Sequence, residues 1–187
     1  MFGPMNPSPN LFLIGPMGAG KSSIGRRLAR HFGMTCIDLD AAVEKRTGAS
    51  VATIFELEGE AGFRRRESEL LTEFAAFHDI VLATGGGAVL AAANRALLHK
   101  YGFVLWLETS IEQQLQRLVR DRQRPLLDTP DRRERLQQLS RERDPLYREL
   151  ADLAVRSTNE SCEQATTRIA AVLEQHWQRT PATRESA

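Results

Sequence analysis

The stretch Gly15-Pro16-Met17-Gly18-Ala19-Gly20-Lys21-Ser22 has the spacing G-x-x-x-x-G-K-[ST], and its flanks constrain the chain more than any other segment. Before it, Leu11-Phe12-Leu13-Ile14 is a short apolar run that reads as a buried parallel strand. After it, residues 23–32 place Ile24, Leu28, Ala29 and Phe32 at helical spacing. A loop between a strand end and a helix start converges several backbone N–H groups, and the helix dipole adds roughly half a positive charge there. Gly15, Gly18 and Gly20 permit turns that a side chain would forbid and let a ligand approach the backbone. Lys21 can reach β/γ-phosphates, and the Ser22 hydroxyl can ligate Mg²⁺. A nucleoside triphosphate site formed by Gly15, Gly18, Ala19, Gly20, Lys21, Ser22 and Ser23 is therefore expected.

The remainder of the chain alternates strand-like and helix-like segments, which implies a parallel sheet with helices on both faces. Strands are expected at residues 35–38, 80–83, 103–107 and 153–155, with helices at 90–100, 110–119, 134–150 (broken at Pro145) and 163–177. Thr109 or Ser110 should cap the second of these helices. Two regions interrupt the alternation: a mixed helical stretch at 40–77, and a polar, proline-punctuated one at 120–133. Such insertions suit a substrate pocket and a lid that expels water. From Arg117 to Arg148 there are ten arginines and no lysine, and arginine suits a bidentate grip on phosphate or carboxylate. An RNA-binding patch is the competing reading, but six acidic residues are interspersed and no aromatic stacking platform is evident.

At 187 residues the chain fits one domain, with residues 1–9 and 178–187 expected to fray. Its formal charge of +1 gives no reason to expect a nucleic-acid or membrane partner. Residues 1–10 carry three prolines and no basic residue, unlike a secretory leader, so a cytoplasmic protein is expected. Cys36 and Cys162 lack metal-type spacing and read as small apolar residues.

Further candidates lie at strand ends, where open α/β sheets bind ligands. Asp38 and Asp40 close the second strand, and alternation in an extended chain would put both carboxylates on one side. Asp40 could alternatively cap a helix starting at Ala41. Gly85-Gly86-Gly87 follows the third strand, and such a run suggests that something must approach the main chain closely. Within Phe63-Arg64-Arg65-Arg66-Glu67, Arg64 and Glu67 stand three apart and can pair on a helix, while Arg65 and Arg66 read as a solvated face. No Asn-Lys-x-Asp motif marks a GTPase, and Glu108 is the one candidate for the strand-end acid of a motor ATPase.

Together these residues resemble the shikimate kinase family over nearly the whole chain. Its six motifs appear in order as Gly15 to Ser22, Asp38/Asp40, Phe63-Arg64 with Glu67, Gly85 to Gly87, Arg124-Pro125-Leu126-Leu127 and Arg143-Asp144-Pro145-Leu146-Tyr147. The resemblance implies a three-layer α/β/α P-loop kinase fold with a five-stranded parallel sheet, a substrate-binding helical insertion and a lid. It implies transfer of the γ-phosphate of ATP to the 3-hydroxyl of shikimate, with Asp40 contacting the acceptor as general base and Asp38 helping to hold Mg²⁺. Arg64 and Arg143 would bind the shikimate carboxylate, oriented in part by Glu67, and the triple glycine would line the same pocket. Arg124 would close on the phosphates, and Arg117 corresponds by its spacing to an adenine-stacking arginine. An adenine loop falls at residues 157–162, and a monomer is expected. Another small-molecule kinase of this architecture, acting on gluconate or a nucleoside monophosphate, is the alternative.

Overall fold

The computed structural model describes residues 7–119, 125–127 and 129–179. Within these residues five strands, β1 (Leu11–Ile14), β2 (Thr35–Asp38), β3 (Ile80–Ala83), β4 (Phe103–Glu108) and β5 (Leu153–Arg156), form one sheet in the order β2-β3-β1-β4-β5. Every pairing is parallel. Among the described residues seven helices connect or flank them: α1 (Lys21–Phe32), α2 (Leu39–Thr47), α3 (Val51–Ala75), α4 (Ala92–Tyr101), α5 (Ile111–Leu118), α6 (Arg132–Leu150) and α7 (Cys162–His176). Short 3-10 turns occur at Ala88–Leu90 and Pro125–Leu127.

Strand alternation sorts the apolar side chains into two layers. Phe12, Ile14, Leu82, Val104 and Trp106 face a core completed by α2, α3, α4 and α6. Leu11, Leu13, Val81, Leu105 and Leu107 face the opposite core, closed by α1 and α7. All of these strand residues are at most 4% exposed, which is why the strands read as continuous apolar runs rather than alternating ones.

The connection after β1 runs toward one sheet edge and the connection after β3 toward the other. A crevice therefore opens beyond the carboxyl ends of these neighbours. Registers of Asp38 with Ala83, Leu13 with Ala83 and Ile14 with Trp106 bring the ends of β2, β3, β1 and β4 to one level. Thr84 secures this edge, its backbone N–H and hydroxyl both donating to the Leu13 carbonyl at 3.1 and 2.9 Å.

Three local expectations are corrected. The helix expected to break at Pro145 runs unbroken as α6. Leu139, Arg143, Tyr147 and Leu150 recur on its buried face on both sides of the proline, so packing outweighs a cost of about 3 kcal/mol. Helix α1 begins at Lys21 rather than Ser23, placing Lys21 and Ser22 in its first turn. The second strand ends at Asp38, whose carboxylate accepts from Ala41 N at 3.1 Å and caps α2. Asp40 is thus neither extended nor a cap but sits in the first helical turn.

Candidate active site

At this edge lies a cleft of about 390 Å³. Its walls include Gly18, Gly20, Lys21, Ser22, Ser23, Asp38, Asp40, Arg64, Gly85, Gly86, Gly87, Arg117 and Arg143, so most of the residues singled out in the sequence converge on it.

One end is built from the β1–α1 loop. Gly15 has φ 138°, and a Cβ there would meet the Leu107 carbonyl oxygen at 2.7 Å. Gly20 occupies the cap position of α1 with φ 88° and no side chain to bond the first N–H groups. By contrast α2, α3, α5, α6 and α7 are capped by Asp38, Ser50, Ser110, Asp131 and Ser161. The start of α1 thus keeps its donors and its positive dipole end for an anion. The Lys21 ammonium folds over this loop and donates to the carbonyls of Gly15 and Pro16 at 2.8 Å each. Ala19 differs from its neighbours: its N–H faces the Pro16 carbonyl at 3.3 Å and its side chain is buried in the core, away from the cleft wall.

The Ser22 hydroxyl donates to the Asp38 carboxylate, which places two hard oxygen donors beside the loop. Arg117 spans from the loop to the end of β5, donating to the Gly18 carbonyl at 3.0 Å and the Ser157 hydroxyl at 2.7 Å. Ser157, in the segment where no residue stood out in the sequence, is thereby tied to the β1–α1 loop. Arg124 lies outside the described residues, as do residues 120–123 and 128 of the expected lid. The described part of that region reaches the cleft through Pro125 and Leu126, while Leu127 is buried with Leu118 and Leu136.

The other end carries Asp40, Arg64 and Arg143 under an apolar wall of Val51, Phe55 and Phe63. Helix α3 bends at Gly59 (φ 70°), and this bend sets the Phe55 ring 5.1 Å from that of Phe63. Phe55 was not recognisable in the sequence, because its place depends on that bend. Arg64 donates to Glu67 at 2.7 Å and to Glu60 at 3.1 and 3.3 Å. Glu67 is wholly buried and its Oε1 has no hydrogen-bond partner among the described residues. Burial pushes its carboxyl above the usual range, against the pull of the Arg64 and Arg143 charges. Arg143 is only 4% exposed. Arg66 pairs with Glu58 at 2.6 Å, while Arg65 is exposed as expected.

The triple glycine has a structural cause that its sequence context hid. A Cβ on Gly85 would overlap Glu67 Oε1 and stand 3.0 Å from Asp40 Oδ1; one on Gly87 would overlap the Arg64 guanidinium. What approaches the main chain here is the protein's own Arg64–Glu67 pair. Gly86, whose Cβ would meet nothing nearer than 3.5 Å, alone has room on this side.

Glu108 does not line this cleft and pairs with Arg156 at 3.4 Å, so it gives no support to a strand-end acid of the motor type. Cys36 and Cys162 are free thiols, and burial raises Cys36. No helix among the described residues is long and apolar enough to cross a membrane.

The shikimate kinase family model matches residues 17–174. The chain is 50% identical over 175 residues to a shikimate kinase of Stenotrophomonas maltophilia, covering 94% of this chain and 97% of that protein. It is 54% identical over 160 residues to a shikimate kinase of Methylococcus capsulatus, covering 86% and 89%. A solved structure of shikimate kinase from Acinetobacter baumannii in complex with shikimate is similar at TM-score 0.87 and 43% identity, over 90% of this chain and 94% of that one. With fold, motifs and relatives in agreement, the chain belongs to the shikimate kinase family.

Proposed function

We propose that the enzyme transfers the γ-phosphoryl group of ATP to the 3-hydroxyl of shikimate, giving ADP and shikimate 3-phosphate. The observation that carries this reading is the division of one cleft. A phosphate-binding helix start stands at one end, and two largely buried arginines with an adjacent aspartate stand at the other. Two guanidinium groups in one cleft with the Phe55 and Phe63 rings suit a small ring bearing a carboxylate.

In this reading Arg64 and Arg143 bind the acceptor carboxylate, and Gly85 to Gly87 border the same end. The Asp40 carboxylate then accepts the proton as the acceptor oxygen bonds to phosphorus and the bond to the ADP oxygen breaks. Gly15, Gly18, Gly20, Lys21, Ser22 and Ser23 cradle the phosphates, with the Ala19 segment holding the loop's shape. Arg117 borders the adenine, and Arg124 closes over the phosphates as part of a lid at 120–133. Residues 40–77 supply the acceptor side of this single catalytic unit, which works as a monomer.

Ser22 and Asp38 fit Mg²⁺, because that ion takes hard oxygen ligands and is usually held by one or two carboxylates together with substrate phosphates. When bound it would neutralise charge on the transferring group. No cluster of three or more His, Cys, Asp or Glu residues forms a separate metal cage among the described residues.

The test is ADP release by the purified enzyme with ATP and, in turn, shikimate, gluconate and nucleoside monophosphates. Saturable turnover with shikimate alone is expected. Preferred turnover of either other acceptor would overturn the reading.

A further inference from the structure

Tyr147 takes no part in the reaction described above, yet it is the largest wholly buried side chain among the described residues and sits directly behind the acceptor end of the cleft. Its hydroxyl donates to the Gly86 carbonyl. The other two carbonyls of the glycine strip are already taken, Gly85 by Ala88 N at 3.2 Å and Gly87 by Leu90 N at 3.0 Å. The side-chain bond from α6 therefore completes the anchoring of a strip that has no side chains of its own. Residues 143 and 147 are four apart, so one face of α6 carries both the Arg143 cation and this clamp.

We propose that Tyr147 is a positioning residue for the acceptor, fixing the peptide plane between Gly86 and Gly87 and, through it, the backbone on which the Arg64 guanidinium rests. This rests on the assignment of the acceptor end made above. A trans peptide points its C=O and N–H in opposite directions, so holding the Gly86 carbonyl toward Tyr147 turns the Gly87 N–H away from it. The Gly87 Cα in turn abuts Arg64, with no space between for a methyl group. Rotation of this one peptide would shift the surface against which Arg64 is set. Burial pushes the phenol well above its ordinary pKa, although the Arg143 charge pulls the other way, so the hydroxyl keeps its proton and acts as the donor. The ring is fixed independently by Trp106, 5.8 Å between centroids, so removing the oxygen leaves the packing in place.

The experiment compares the parent with Tyr147→Phe, which loses the donor, and with 4-aminophenylalanine at position 147, which restores an N–H donor on the same ring. The parent must first show shikimate-dependent turnover, and its absence would sink the acceptor assignment rather than the role of Tyr147. Tyr147→Phe should raise KM for shikimate roughly five- to thirtyfold, the size of losing one buried hydrogen bond. KM for ATP should stay within about twofold, and the amino variant should recover most of the loss. Leu150→Ala, a core truncation on the same helix, should lower the melting temperature without moving KM for shikimate. Should the Phe variant not fold, 4-methoxyphenylalanine, which lacks the donor, replaces it in the comparison. An unchanged KM for shikimate, parallel rises for shikimate and ATP, or equal losses in donor and donor-free variants would each overturn the proposal.

Discussion

Gly87→Ala isolates the packing of the glycine strip against the Arg64–Glu67 pair. Gly87 has φ −98° and ψ 1°, which alanine adopts without backbone strain, so the effect is steric. The new methyl carbon would stand 2.8 Å from Arg64 Nη1 and nearer still to the rest of the guanidinium. Ordinary contact needs about 3.5–4 Å, so the group must retreat by roughly 1 Å. That retreat breaks its 2.7 Å bond to Glu67. A hydrogen bond to a charged group is worth about 1.5–3 kcal/mol, and Glu67 is sealed from water with its other oxygen already unpartnered among the described residues. Gly87→Ala should therefore cost about 2–3 kcal/mol. In an Arg64→Ala background, where nothing remains to be displaced, the same change should cost less than about 0.5 kcal/mol. Gly86→Ala, whose methyl meets only ordinary contacts from 3.5 Å outward, should also stay within about 0.5 kcal/mol of the parent. Urea midpoints for the four members of the Gly87/Arg64 cycle and for Gly86→Ala measure all three quantities. Equal costs of Gly87→Ala in both backgrounds, or an equally damaging Gly86→Ala, would refute the reasoning.

Asp40→Asn should lower turnover about 10²–10⁴-fold with little change in Mg²⁺ dependence, whereas Asp38→Asn should raise the Mg²⁺ requirement in a way excess metal partly reverses. Initial rates across a Mg²⁺ series decide this, and metal rescue of the Asp40 variant alone would reverse the two roles. Glu67 has its folded pKa raised by burial, so the stability from its protonated form is complete below the unfolded value of about 4.5 and is lost as pH rises through the folded pKa. Glu67→Gln should consequently gain stability relative to the parent as pH rises above that value. Urea unfolding between pH 4 and 8 reads the difference, and a parent–variant gap that is flat or moves the other way would show that Arg64 and Arg143 outweigh burial.

The parallel sheet and the glycine-rich β1–α1 loop were legible in the sequence because both depend on neighbours along the chain. Apolar runs such as Phe103-Val104-Leu105-Trp106-Leu107, too short for a helix and flanked by turn residues, read as strands buried on both faces, and the glycines and Lys21 act within one loop. The gathering of Asp40, Arg64 and Arg143 in one cleft was legible only through the set of motifs. Phe55 and Phe63 meet because of a bend at Gly59, and Arg143 joins Arg64 in one cleft because α3 and α6 both reach it; neither juxtaposition is encoded in spacing.

The amino-acid sequence by itself determined the order of the elements, the phosphate loop and the residue types that can bind an anion, since local turn chemistry and burial periodicity are properties of contiguous residues. Tertiary structure decided which side chains those residues serve. Pro145 stays helical because its face is buried, Asp38 rather than Asp40 caps α2 because pairing with β3 ends at Asp38, and Gly85 and Gly87 must lack side chains because Glu67 and Arg64 fill the space those side chains would take. Each outcome rests on contacts between segments distant in the chain, where packing outweighs local preference.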